Sequence, residues 1–149
     1  MKPLYLDTGL ILKLLVQEPL SPVIRDFIAK RRAPIWFPTI VSVEVENSLQ
    51  AMRFRKRLTA VQLTSAQNQI AKMHADGKFV PPPLSLDDIA KEMLALAPSI
   101  TARTGCRTLD LLHIAAARLL QAPIFVSTDK RQLAAARLAG IKTKTFSSP

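Results

Sequence analysis

Four short apolar segments, separated from one another by stretches that read as helix, most constrain what this 149-residue chain can fold into. They are Leu4–Leu6, Ile35–Phe37, Pro123–Ser127 and, more weakly, Lys142–Phe146. Strands that short and apolar, separated by helices, favour a parallel sheet covered on both faces. A chain of this length can bury about two-thirds of its unfolded surface in one core. With no internal repeat and no linker, the expectation is a single α/β domain over residues 1–149, with its core at 3–146. Its centre is a short parallel sheet with helices on both faces.

Helix signals fill the intervals. Thr8 opens a leucine-rich stretch that stops before Pro19, and Ser21-Pro22 starts a helix reaching about Arg31. Thr59 caps a long helix to His74, with Gly77 beyond its end. Pro81-Pro82-Pro83 is a stiff connector, and Ser85 with Asp87 and Asp88 begins another helix. Thr108–Gln121 is strongly helical, and Thr128–Ala139 forms a last helix closed by Gly140. The stretch from Thr39 to Leu49 fits two patterns. Val41, Val43 and Val45 alternate as in a strand, whereas Val41, Val45, Leu49 and Met52 form a helical stripe.

Counting removes several chemistries. The single cysteine, Cys106, excludes a disulfide framework and a cysteine-rich zinc site. Two histidines are too few for most zinc enzymes, and four scattered glycines make no phosphate-cradling loop. Asp7 and Lys13 interrupt the apolar N-terminus, which argues against a signal peptide. No run has the roughly 18 apolar residues of a membrane span, so the expected location is cytoplasmic. The 21 lysines and arginines outnumber the 11 acids, for a net charge of +10. That surplus points to a polyanionic partner such as nucleic acid.

The position of the few acids is therefore informative. Asp7 directly follows the first strand, and Asp129 follows the Pro123–Ser127 strand after Thr128. In open α/β sheets the carboxyl ends of the strands are where ligands bind. Either aspartate alone is equally well explained as a helix-start acid stabilised by the dipole; as a pair they favour a site. Asp110 lies in a segment that is apolar nearly all round, on one face with Arg107 and His113. A second-position helix acid behind a Thr108 cap is the structural alternative for Asp110, and a satisfied core histidine is the usual reading of His113. Glu44 lies in the ambiguous stretch; if that stretch is helical, it shares a face with Asn47 and Ser48. The basic run Arg53-Phe54-Arg55-Lys56-Arg57 is by default a solvated helix end, with phosphate contact as its functional alternative.

Taken together, Leu6-Asp7-Thr8, Val43-Glu44-Val45, the Arg107–Ala115 stretch and Phe125-Val126-Ser127-Thr128-Asp129 resemble the PIN-domain ribonucleases. The nearest likeness is to the VapC-like toxins of toxin–antitoxin pairs. The resemblance implies an endoribonuclease dependent on Mg2+ or Mn2+, with Asp7, Glu44, Asp110 and Asp129 as catalytic residues and metal ligands. It implies supporting roles for Ser127 and Thr128 beside Asp129, and it places Glu44 on a helix; Thr8, His113 and Arg107 are expected as supporting residues around the acids. Glu46 stands outside the pattern, and Gly9 departs from it, since many relatives carry Ser or Asn there. Hard cations of this kind take oxygen ligands and leave positions for water and phosphate. The implied partners are an RNA substrate, a cognate antitoxin and a second copy in a homodimer, with no membrane. An RNA-processing nuclease without an antitoxin, and a binding module that does not cut, are the alternative functions.

Two rival motifs fail on context. Asp7-Thr8-Gly9 matches the aspartic protease triplet, but here it opens a helix and has no second copy. A phosphatase of the haloacid-dehalogenase type needs an aspartate two residues after Asp7, where Gly9 stands.

Overall fold

A computed structural model describes residues 1–147. Their elements are β1 (Tyr5–Leu6), α1 (Thr8–Leu15), α2 (Ser21–Arg31), β2 (Ile35–Trp36), α3 (Thr39–Phe54) and α4 (Ala60–Ala75). There follow β3 (Phe79–Val80), α5 (Leu86–Thr104), α6 (Thr108–Leu119), β4 (Phe125–Val126), α7 (Lys130–Leu138) and β5 (Thr143–Lys144). All pairings are parallel: β1 with β4, β4 with β5, and β2 with β3. A parallel bridge from Leu4 to Ile35 joins the two small sheets, so the order across is β3-β2-β1-β4-β5. The chain reverses its direction of winding between β1 and β4, which places the crevice of an open α/β sheet at their carboxyl ends.

Alternation along each strand divides the core into two. Leu4, Leu6 and Val126 pack with α1 to α4 on one face, while Tyr5 and Phe125 pack with α5, α6 and α7 on the other. Both clusters are buried apolar side chains, as the parallel arrangement requires. The Tyr5 and Phe125 rings stack at 5.7 Å between centroids in adjacent strands.

The ambiguous stretch is helical. In α3, Val41, Val45 and Leu49 are fully buried, whereas Val43 is 58% exposed, the reverse of what strand alternation demands. Three expectations need correction at their edges. Phe79–Val80, just before the proline run, is a strand that pairs with β2; two residues carry no periodicity to read. The last helix starts at Lys130, because Asp129 itself is its cap. The cap of α6 is Arg107, and Asp110 is its third residue. Thr59 and Ser85 cap α4 and α5 as expected. Gly77 and Gly140 close their helices at positive φ.

Candidate active site

Each of the four implicated acids is delivered by a different helix start or helix face. Asp7 follows β1 and caps α1, with its Oδ1 accepting the Leu10 N–H at 2.8 Å. Asp129 follows β4 and caps α7, with Oδ1 accepting from Arg131 and Gln132 N–H at 2.8 and 3.1 Å. Because β1 and β4 are neighbours, the two aspartates enter the same crevice. Asp110 comes from the first turn of α6, and Glu44 from the face of α3 that also carries Ser48. The four carboxylates line a single open cleft of about 540 Å³, together with Thr8, His113, Thr128 and Gln132.

A web of hydrogen bonds fixes these groups. The Ser127 hydroxyl donates to Asp7 Oδ2 at 2.5 Å and accepts the Asp129 N–H at 2.9 Å. One buried serine thus ties the two strand-end aspartates together. Gln132 Nε2 donates to Asp110 Oδ1 at 2.9 Å, and the Arg107 N–H donates to Oδ2 at the same distance. Glu44 Oε1 accepts from the Thr8 hydroxyl at 3.1 Å and lies 2.8 Å from His113 Nε2. A carboxylate only accepts, so Nε2 carries a proton, and the Tyr5 hydroxyl 3.0 Å from Nδ1 is the donor there in neutral imidazole. Burial pushes the Tyr5 hydroxyl well above its ordinary pKa, which keeps that proton in place.

Electrostatics set Asp7 apart. Burial raises its carboxyl above the usual aspartate range, and this outweighs the Ser127 hydroxyl and the Leu10 N–H, which favour the charged form. Asp129, by contrast, is exposed at the mouth of the cleft, and among the described residues its Oδ2 accepts no hydrogen bond.

The supporting residues named from the sequence divide into groups. Thr8, Ser127 and His113 contact the acids directly. Thr128 lines the cleft without a side-chain bond to them. Arg107 acts through its backbone, and its exposed side chain is not part of the cleft wall. Gln132 was not legible as a site residue. The only signal is its place three residues after an N-cap aspartate, and its link to Asp110 depends on how α6 and α7 pack. Glu46 faces away, accepting from Gln50 and Gln67 across α3 and α4.

The donor set is all oxygen, which suits a hard divalent cation. Its chemistry fits, but it is not a closed ligand cage: among the described residues no three Asp, Glu, His or Cys side chains converge into a metal cluster. Ser127 and Gln132 occupy oxygens of Asp7 and Asp110, so a cation entering here would compete with those donors or recruit the outward oxygens.

A family model described as PIN domain matches residues 4–138. No curated protein matches the chain.

Proposed function

The chain belongs to the PIN-domain family, and from that premise we propose that it is a metal-dependent endoribonuclease hydrolysing RNA phosphodiester bonds. One observation carries this reading: four acids from four separate elements line one cleft at the carboxyl ends of β1 and β4. Structural capping accounts for Asp7 and Asp129 singly but not for their meeting with Glu44 and Asp110. The proposed catalytic and metal-binding residues are Asp7, Glu44, Asp110 and Asp129, with Mg2+ or Mn2+ as the cation.

When bound, such a cation lowers the pKa of water and stabilises charge developing on the phosphate oxygens. The protein's part is positioning. Ser127 holds Asp7 and the Asp129 backbone in fixed relation, Gln132 orients Asp110, and Thr8 with His113 orients Glu44. Tyr5 fixes the imidazole from behind. These bonds aim the carboxylates before substrate arrives, so little reorganisation is needed in the reaction. The basic surface supplies the attraction for the RNA backbone.

The test is cleavage of purified RNA with Mg2+, with and without chelator, beside Asp7→Asn. The reading predicts loss of cleavage in both controls, and equal cleavage in either would sink the mechanism.

We also propose that the enzyme is the toxin of a toxin–antitoxin pair, single-domained, homodimeric and cytoplasmic. Support for a protein partner comes from a second cleft of about 560 Å³ beside α1 and α2, with Leu14, Ile28, Ile35 and Met73 among its lining and Arg25 and Lys78 beside them. That mixture of apolar floor and basic rim suits an acidic amphipathic segment. Among the described residues no helix is long and apolar enough to cross a membrane. A short open reading frame next to the gene, whose product binds this chain and stops cleavage, is the expected finding. Its absence would favour a nuclease of RNA processing. A module that binds without cutting draws support from the open spacing of the acids, and absence of any Mg2+ or Mn2+ binding would favour it.

A further inference from the structure

The most exposed aromatic side chain of the molecule sits inside its densest positive run. Phe54, the last residue of α3, is 87% exposed. Arg53, Arg55, Lys56 and Arg57 surround it in sequence, all exposed. None of these four cations forms an ion pair among the described residues, although Lys13, Lys30, Lys72 and Arg118 all do.

Local structure holds this cluster outward. The chain ends α3 through Lys56 at φ 59°, with the Arg57 N–H bonded to the Met52 carbonyl at 2.8 Å. Leu58 then buries and Thr59 caps α4, so the cluster is the tip of a helical hairpin pinned on both sides. Cations at a helix C-terminus are favoured by the dipole. That accounts for basic residues here, but not for a phenylalanine left in water among them.

Arg55, next to Phe54, also lies in line with the cleft. Glu44 and Ser48 line the cleft from α3, and the same helical row continues through Ala51 to Arg55. Ten residues separate Glu44 from Phe54, about 15 Å along the helix axis. Stacked nucleotides advance about 3.4 Å each, so the span matches roughly four of them.

We propose that Phe54 is a stacking platform for a base of single-stranded RNA, and that Arg53, Arg55, Lys56 and Arg57 hold the phosphates beside it. The inference rests on the ribonuclease reading and adds to it a contact for an unpaired base roughly four nucleotides from the cut. Charge decides between occupants. A second copy docking here would bring like charges together, whereas a polyanion neutralises them, and an aromatic face accepts any base.

The test measures binding in EDTA, with cleavage suppressed, so its outcome is independent of whether the chain cuts RNA. The probes are a fluorescein-labelled oligoadenylate of 12 nucleotides and inorganic polyphosphate, which has charge but no bases. Phe54→Ala is expected to weaken oligoadenylate binding on the order of tenfold, the effect of losing one stacked base, and to leave polyphosphate binding unchanged. Phe54→Tyr should retain the wild-type affinity for RNA. Unchanged oligoadenylate affinity in Phe54→Ala, or equal weakening for both probes, would overturn the proposal. So would conversion of a dimer to a monomer by Phe54→Ala, which would make the tip a self-interface.

Discussion

Ser127 is the residue on which the proposed site most depends. Its hydroxyl serves as donor to Asp7 and acceptor for the Asp129 N–H, entirely out of solvent. Ser127→Ala would leave a buried carboxylate oxygen and a backbone N–H without partners. Destabilisation of about 1–3 kcal/mol is expected, read as a lower denaturation midpoint, together with reduced cleavage because both aspartates lose their mutual alignment. Asp7 behaves in the opposite sense. Its raised pKa means the folded chain holds that proton more tightly than the unfolded chain does. Stability contributed there is complete below about pH 4, the unfolded value, and is lost as pH rises through the higher folded value. Asp7→Asn should therefore raise the Tm of the metal-free protein near neutral pH, by about 2–4 °C for each kcal/mol relieved. The gain should shrink on acidification. A carboxylate left open to solvent would show no such gain, since asparagine caps as well. Thermal melts of both proteins from pH 4 to 8 measure the burial penalty that the folded chain imposes on Asp7.

Among the elements, those with explicit end signals were legible and those without them were not. Thr59, Ser85 and Pro22 mark helix starts through chemistry that acts within one turn, so sequence suffices. At α4 the Thr59 hydroxyl accepts the Gln62 N–H while the Gln62 side chain accepts the Thr59 N–H. Thr59→Ala is expected to cost about 1 kcal/mol, measurable as a Tm lower by roughly 2–4 °C. α6 starts at Thr108 as expected, but the bond at its start is made by Asp110 accepting the Arg107 N–H rather than by a Thr108 cap, and α7 starts two residues after Thr128 because Asp129 caps it. Val41, Val43 and Val45 could not decide α3, because three residues satisfy both periodicities. Only the tertiary burial of Val41, Val45 and Leu49 against the sheet settles it, and with it the direction of Glu44. The strand at Phe79–Val80 exists through pairing with Ile35–Trp36, a long-range contact that leaves no local trace.

For the whole molecule, the acids are distributed so that four of 11 face one cleft on a chain with 21 basic residues. Their positions after strands, and on an apolar helix, were visible in the sequence. Their meeting was not, because it depends on β1 lying beside β4 and on α3 and α6 flanking that pair. The same packing creates the Gln132–Asp110 bond and leaves the exposed Arg107 side chain out of the cleft lining, both beyond what spacing alone conveys. The proposed chemistry requires this cleft to take a cation, and calorimetric titration with Mn2+ at neutral pH tests that without reference to any RNA sequence. Saturable binding to the wild-type chain is expected, weakened at least about tenfold, or roughly 1.4 kcal/mol, by Asp7→Asn and by Asp129→Asn. Binding should also decline toward pH 5 as protons compete for the carboxylates. Absence of binding, or the same affinity in wild type and both variants, would contradict that requirement.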